Sequence, residues 1–138
     1  TENAGDFRVS LASSTIVRVN RQEYASSSEI DLLEAFIYEP RSQQNLTVSW
    51  SREDHALSLF ADRLGHMNMY QGKVSDPHIT YNMSYSYDYS PDIDLYLSVR
   101  NLTDVMPQKD GGFGYPYYYQ GVFSVFGRYA SAGFNYRF

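Results

Sequence analysis

The chain has 138 residues, enough for one domain, and 16 Asp and Glu against 11 Lys and Arg give it a formal net charge of −5. This acidic balance, with no basic run, excludes a nucleic-acid partner, and the absence of cysteine excludes disulfides and thiolate metal sites. No apolar run reaches the roughly 20 residues of a transmembrane helix, and the mean hydropathy is −0.47.

Alternation of apolar and polar residues predicts six β-strands. A strand places successive side chains on opposite faces, so a period of two is typical of a sheet with one apolar face. The clearest case is 78–89, where Ile79, Tyr81, Met83 and Tyr85 alternate with polar side chains. In chain order the predicted strands are 6–20, 45–51, 55–64, 78–89, 92–103 and 127–138.

Long and short connections alternate between these strands. The long ones are 21–41, 65–77 and 105–126, and the short ones are 52–54 and 90–91. This order predicts an all-β, antiparallel up-and-down meander of six long strands, with the short turns at one end and the long loops at the other.

The first long connection contains one candidate helix, at 28–37. Ser28 is a suitable N-cap, and carboxylates follow in the first turn. Pro40 would end such a helix, because the residue before a proline is pushed out of the helical region. A short amphipathic helix and an irregular loop both remain open for this stretch.

The last predicted strand ends on aromatic residues. Phe134, Tyr136 and Phe138 share its apolar face, and the alternation continues to the final residue. Upstream, 99–104 reads Val-Arg-Asn-Leu-Thr-Asp, and a Gly-Arg pair at 127–128 opens the strand after a long aromatic loop. This combination resembles the last two strands of TonB-dependent outer-membrane receptors, in which the three aromatic residues would form the barrel-closing C-terminal signature.

The resemblance implies a segment of a large transmembrane β-barrel of about 22 strands, whose lumen holds a plug. Six strands cannot close such a barrel, since the smallest have about eight. We therefore expect residues 1–138 to be the C-terminal barrel segment, without the plug, the earlier strands or the N-terminal part that contacts TonB. No signal peptide is visible at Thr1, as expected for a mature protein or a fragment.

The function implied by the resemblance is uptake across the bacterial outer membrane. The whole protein would import a scarce solute of the siderophore, oligosaccharide or peptide class, with energy delivered through TonB. This segment would contact outer-membrane lipid, the plug and the rest of the barrel. It would supply barrel wall, lumen lining and extracellular loops, and no catalysis.

The orientation follows from placing the C terminus in the periplasm, as in the family. Short turns then lie in the periplasm and long loops outside. Aromatic residues of the apolar register gather near the periplasmic ends of the strands, as an interfacial girdle requires. They are Phe7, Trp50, Tyr87, Tyr89, Tyr136 and Phe138.

Two other classes remain open. One is the tail of a different outer-membrane barrel, such as a porin or an autotransporter translocator. The other is a soluble carbohydrate-binding β-domain, whose strands also alternate and whose core also uses Tyr and Phe. Predicted strands of about 10–12 residues exceed the mode of roughly 5–6 in soluble sheets and match the approximately 9–11 that cross a bilayer. Strand length therefore favours the barrel.

Catalytic and metal-binding patterns are absent from the sequence. His55, His66 and His78 have no ligand spacing, and Asp92 and Asp94 flank a turn whose chemistry accounts for Asp92. No nucleophile elbow, zinc-protease or phosphate-binding motif occurs. The sequence therefore predicts neither an enzyme nor a bound metal or cofactor.

The third long loop carries the candidate ligand contacts, Tyr115, Tyr117, Tyr118 and Tyr119. Tyrosine combines an apolar ring with a hydroxyl at low entropic cost, which is typical of recognition surfaces. Two interpretations remain open. The cluster contacts a substrate, as loops of this kind do in receptors for oligosaccharides or peptides, or it packs on itself and on neighbouring loops.

Overall fold

The structure is a computed structural model that describes residues 4–33 and 38–138. Its strands are β1 (Asp6–Thr15), β2 (Asn20–Arg21), β3 (Ile30–Asp31), β4 (Ser42–Arg52), β5 (His55–Leu64), β6 (His78–Ser90), β7 (Ile93–Arg100) and β8 (Tyr129–Tyr136). The only helical turn in these ranges is a 3-10 turn at Tyr70–Gly72, so the predicted all-β class is confirmed. The described residues include no helix that is long and apolar enough to cross a membrane.

Six strands form one antiparallel sheet in the order β1-β4-β5-β6-β7-β8, and β2 and β3 form a separate small hairpin. Sheet neighbours follow one another along the chain, so the predicted up-and-down meander is confirmed. The sheet is open, because β1 and β8 each pair on one side only. Two-residue turns at 53–54 and 91–92 define its turn end, and loop 1 (16–41), loop 2 (65–77) and loop 3 (101–128) define its loop end.

Strand bounds differ from the predicted ones mainly at the loop end. The predicted bounds of β5 are confirmed, but β1 stops at Thr15 instead of continuing to residue 20. The last hydrogen bond that extends its pairing is donated by the Ile16 amide to the Arg41 carbonyl, at 2.9 Å. β7 stops at Arg100 because Asn101 has a φ of +52°, in the left-handed region that ends a strand.

The helix considered for 28–37 does not form in its described part, 28–33. Ile30–Asp31 is instead strand β3, paired with Asn20–Arg21. The Asn20 side chain also donates to the Glu29 carboxylate at 2.5 Å. A helix of about ten residues is marginal without packing, so pairing across the hairpin competes with it successfully. Residues 34–37 lie outside the described ranges.

The apolar residues of the six strands share one face of the sheet. The cross-strand neighbours Trp50, Leu57, Tyr85 and Leu97 run from β4 to β7, and Phe7 extends this row to β1. The face is uncovered in the described chain, since Phe7 is 67% exposed. Contiguous apolar surface of this kind is unusual on a soluble monomer.

The buried apolar side chains of the described residues lie in the loops. They include Met67 and Met69 in loop 2 and Tyr118 in loop 3. The hydrophobic effect therefore stabilises the loop end directly, whereas the sheet is held by its ladder hydrogen bonds and cross-strand pairs.

The opposite face of the sheet is mainly polar. A continuous row of serines crosses five strands, each directly opposite the next: Ser49, Ser58, Ser84, Ser98 and Ser131. The hydroxyls of the first two lie 2.8 Å apart. Small hydroxyl side chains leave space above this face for water, for a ligand or for other polypeptide.

An aromatic rim lies at the turn end on the apolar face. Phe7 is paired with Trp50, whose indole nitrogen donates to the Ala4 carbonyl at 2.9 Å. Rings of Tyr136 and Phe138 meet edge to face at 4.9 Å. Four of the six residues predicted to form a girdle, Phe7, Trp50, Tyr87 and Tyr136, therefore share one end and one face of the sheet. Tyr89 lies where the register of β6 and β7 shifts, and its ring contacts that of Tyr87; Phe138 follows β8 and contacts Tyr136.

Candidate functional site

The three loops pack into one cluster above the loop end of the sheet. Loop 1 is tied to loop 2 by the Tyr38 amide, which donates to the Asn68 carbonyl at 2.8 Å. Loop 2 is tied to loop 3 by the Asp76 amide, which donates to Gln108 Oε1 at 3.0 Å. Aromatic contacts connect loop 1 to loop 3, since the Tyr38 ring lies 5.1 Å from that of Tyr119 in loop 3.

A buried carboxylate, Asp110, lies at the centre of the loop cluster and is 3% exposed. Its Oδ2 accepts the Tyr70 amide at 3.1 Å, and its Oδ1 accepts the Gly112 amide at 2.9 Å. The Tyr38 hydroxyl also donates to it. One side chain thus joins all three loops, which is how this buried charge is compensated.

The electrostatics of Asp110 follow from these contacts. Burial alone raises its pKa, but the amides of Gly112 and Tyr70, the Tyr38 hydroxyl and nearby Lys73 outweigh burial and hold the pKa below its ordinary value. The same contact acts oppositely on Tyr38, whose pKa is raised by burial and by donation to the carboxylate. Asp110 is therefore a permanent anion at neutral pH and serves as a structural acceptor.

We expect Asp110→Asn to loosen loops 2 and 3 at pH 7. The carboxamide cannot replace two charge-assisted acceptors, and bonds to charged groups contribute about 1.5–3 kcal/mol each. Because the folded pKa lies below the unfolded one of about 3.9, the carboxylate's contribution is complete above pH 4 and is lost as pH falls through the folded pKa.

Hydrogen–deuterium exchange of loop peptides measures this effect. The variant should exchange faster than the parent at pH 7, and the difference should shrink as pH falls through the lowered pKa of Asp110, below which both side chains are neutral. Asp76→Asn is the matched control, because the Asp76 side chain is exposed. A difference that persisted unchanged at low pH would contradict the ionic role of Asp110.

The Asn-Leu-Thr-Asp segment forms a clasp between β7 and β8. Asn101 and Asp104 both have positive φ, at +52° and +55°. Asn101 exchanges two side-chain hydrogen bonds with the backbone of Val105, at 2.9 and 3.0 Å. Asp104 Oδ1 accepts the Arg128 amide at 2.7 Å, and a Cβ at Gly127 would lie 2.8 Å from that oxygen. The Asn-Leu-Thr-Asp segment and the Gly-Arg pair therefore contact each other and hold the two ends of loop 3 together.

A cleft of about 1050 Å³ lies between loop 3 and the polar face of the sheet. Its floor consists mainly of polar-register residues of β4 to β8, and its walls are residues of loop 3. Asp62 accepts an amide of Asn45 at 2.5 Å and one of Asn82 at 2.9 Å. This volume and this mixture of rings and polar groups are typical of a small-molecule site.

The predicted tyrosine contacts do not line this cleft. Tyr115 is 88% exposed, while Tyr118 is 4% exposed and donates its hydroxyl to the Ser124 carbonyl at 3.3 Å. Tyr117 lies beneath the ammonium of Lys109, 5.9 Å from the ring centre. Tyr119 lines a smaller cavity of about 210 Å³ together with the methionines of loop 2. Tyr118 therefore has a packing role, and Tyr115 remains available at the surface.

The predicted C-terminal signature lies away from the cleft. Phe134 and Tyr136 belong to β8 on the apolar face, opposite Leu95 and Ile93. Phe138 follows the strand and contacts Tyr136. These residues contribute to the apolar face and the aromatic rim.

Other residues of the same chain provide the cleft's rings and charge. Phe126 and Tyr129 come from the end of loop 3 and the start of β8, and Arg100 comes from the end of β7. They were not among the residues predicted from the sequence, because the densest run of tyrosines lies elsewhere in loop 3. Their positions in the sequence could have identified Arg100 and Tyr129, since polar-register residues at the loop ends of neighbouring strands lie side by side.

The described residues contain no group of three or more His, Asp or Glu side chains that could hold a metal ion. His55 instead belongs to the rim, where its ring stacks on Tyr87 at 4.6 Å and its Nδ1 lies 2.7 Å from the Tyr85 hydroxyl. Comparison with known protein families, curated proteins and solved structures finds no match to the chain.

Proposed function

We propose that this chain is part of the β-barrel of a TonB-dependent outer-membrane transporter that imports a scarce solute. Solutes of the siderophore, oligosaccharide or peptide class fit this role. The observation that carries the proposal is the two-sided sheet, with an uncovered apolar face and a polar face that bears the cleft. A barrel wall needs this arrangement, because one face meets lipid and the other lines the lumen.

Strand length supports the proposal. The strands of the sheet have 10, 11, 10, 13, 8 and 8 residues, whereas strands in soluble sheets have a mode of about 5–6. A tilted strand crosses a bilayer in roughly 9–11 residues. The position of all short turns at one end and all long loops at the other is also typical of outer-membrane barrels.

The open edges of β1 and β8 fit a segment of a larger barrel. In the proposed protein of about 22 strands, β1 would pair with the preceding strand and β8 with the first strand of the barrel. The polar face would then surround a plug, and the loop cluster would form part of the extracellular vestibule. A soluble carbohydrate-binding β-domain is the competing function, and the cleft is the observation that favours it.

The depth of Trp50 in the bilayer tests the proposal. Trp50 belongs to the aromatic rim, so its fluorescence in the full-length protein should be quenched most by lipids brominated near the headgroup. Trp50 is the single tryptophan of this chain. Any tryptophan in the rest of the full-length protein is replaced by Phe, so that the fluorescence comes from Trp50 alone. The matched control moves the reporter to the middle of β5, with Leu59→Trp in a Trp50→Phe background, where bromines at the bilayer centre should quench best.

Equal quenching of the two reporters by all lipids would exclude a membrane-spanning sheet. Maximal quenching of Trp50 from the bilayer centre would contradict the position of the rim at an interface. Recovery of the protein from the outer-membrane fraction of a Gram-negative host provides the independent check on location.

A further inference from the structure

The two charged groups of the cleft differ in how they are satisfied. Each oxygen of Asp62 accepts one amide hydrogen, from Asn45 or from Asn82. The remaining carbonyl of Asn82 accepts the Asn101 amide at 2.9 Å. Both oxygens of Asp62 are thus occupied, so this side chain holds two carboxamides in place.

Arg100 has no such compensation. Its guanidinium makes no hydrogen bond or ion pair with any residue in the described ranges, although the side chain lines the cleft. The residue lies on the polar face, since its neighbour Val99 pairs with Met83 on the apolar face. An unpaired guanidinium offers a planar fork of donors that matches a carboxylate.

Aromatic rings lie beside this charge. Tyr129 is the direct cross-strand partner of Arg100 on β8, and Phe126 in loop 3 is 75% exposed while lining the same cleft. The serine pair Ser98 and Ser131 lies in the next polar-face row of the same two strands. The cleft thus combines a cation, two accessible ring surfaces and a floor of hydroxyls within a few residues of one strand pair.

We propose that the cleft binds a saccharide that carries a carboxylate. Arg100 holds the carboxylate through paired N–H···O bonds, Phe126 and Tyr129 pack against the C–H face of the sugar ring, and Ser98 and Ser131 bond to ring hydroxyls. The inference rests on the proposed function, because it identifies the class of solute that the transporter would accept at the vestibule. A neutral sugar would leave the guanidinium unpaired, and a simple carboxylate would leave the rings uncovered.

Calorimetric titration of the full-length protein in detergent tests the inference with three probes. They are a galacturonate trimer, D-galactose and acetate. The galacturonate trimer should bind at least about tenfold more tightly than either of the other two, since a hydrogen bond to a charged group contributes enough for roughly a 10- to 100-fold change.

Variants of the chain assign the contacts. Arg100→Gln should weaken galacturonate binding by about 10- to 100-fold, and Arg100→Lys should restore part of it because the charge remains without the fork. Phe126→Ala should weaken the acidic probe and any residual galactose binding alike. Arg8→Gln is the matched control on the polar face, since Arg8 lies on β1 outside the cleft.

The outcomes separate the inference from the proposed function. Unchanged galacturonate binding by Arg100→Gln, equal binding of galactose, or equal binding of acetate would overturn the acidic-saccharide site. A protein that is present in the outer membrane but binds no galacturonate overturns the site alone. Arg100-dependent binding by a protein absent from the membrane fraction supports the site and overturns the transporter.

Discussion

Lysine at position 97 is expected to weaken folding into lipid vesicles by about 2–4 kcal/mol if the residue lies at the bilayer midplane, and by less near an interface. Leu97 lies on the apolar face, directly between Tyr85 and Ala132. In the proposed barrel its side chain meets hydrocarbon, so Leu97→Lys would bring an ammonium group into lipid. Reversible urea titration of the full-length protein in vesicles measures the free energy of unfolding.

Ser98→Lys is the matched control for this experiment. It changes the next residue of the same strand, whose side chain lies on the opposite face between Ser84 and Ser131. A lysine there can reach water in the lumen, so we expect a loss well below that of Leu97→Lys. If Ser98→Lys were the more damaging change, the assignment of the two faces to lipid and lumen would be reversed.

The second large effect concerns residues 1–138 expressed alone. We expect these residues not to form a stable soluble monomer. In the described part of the chain, β1 and β8 each pair on one side only, and such open edges recruit further strands. The exposed apolar face is a second surface that favours self-association, since Phe7 and Leu11 on β1 are 67% and 70% exposed.

Light scattering in buffer with and without detergent measures this behaviour. Without detergent we expect assemblies of many chains, and with detergent we expect smaller particles that retain the circular dichroism of strands. A monodisperse species of 15.9 kDa with a cooperative melt in plain buffer would contradict the barrel and would favour the soluble β-domain.

The sequence was sufficient to predict the strands because their signal is local. Alternation over ten residues assigns each side chain to a face, and it identified β5 without error and β6 within one residue. A pairing register that aligns apolar residues across strands follows from the same pattern. The match of Trp50, Leu57 and Tyr85 across three strands therefore required no information beyond the alternation and the turn positions.

Loop structure was beyond the reach of the sequence because its contacts are distant along the chain. The Tyr70 amide meets Asp110 across 40 residues, and nothing in the local pattern of either residue indicates the other. The same is true of Asp104 and Arg128, which are 24 residues apart. The sequence contains both motifs of this clasp. Only the structure shows that the Asp104 carboxylate accepts the Arg128 amide hydrogen beside Gly127.

The candidate site shows most clearly which features the sequence determines and which features depend on the tertiary structure. By itself the sequence determined the class of fold, the strand order, the apolar and polar faces and the end at which the loops gather, because all of these depend on periodicity and chain reversal. Only the tertiary structure decided that Tyr118 is buried while Phe126 is exposed in the cleft. Likewise, only the tertiary structure decided that Asp62 accepts two amide hydrogens while Arg100 pairs with no group among the described residues. The physical reason is that burial and hydrogen-bond pairing depend on which distant segments come together, and in loops no periodic pattern encodes that choice.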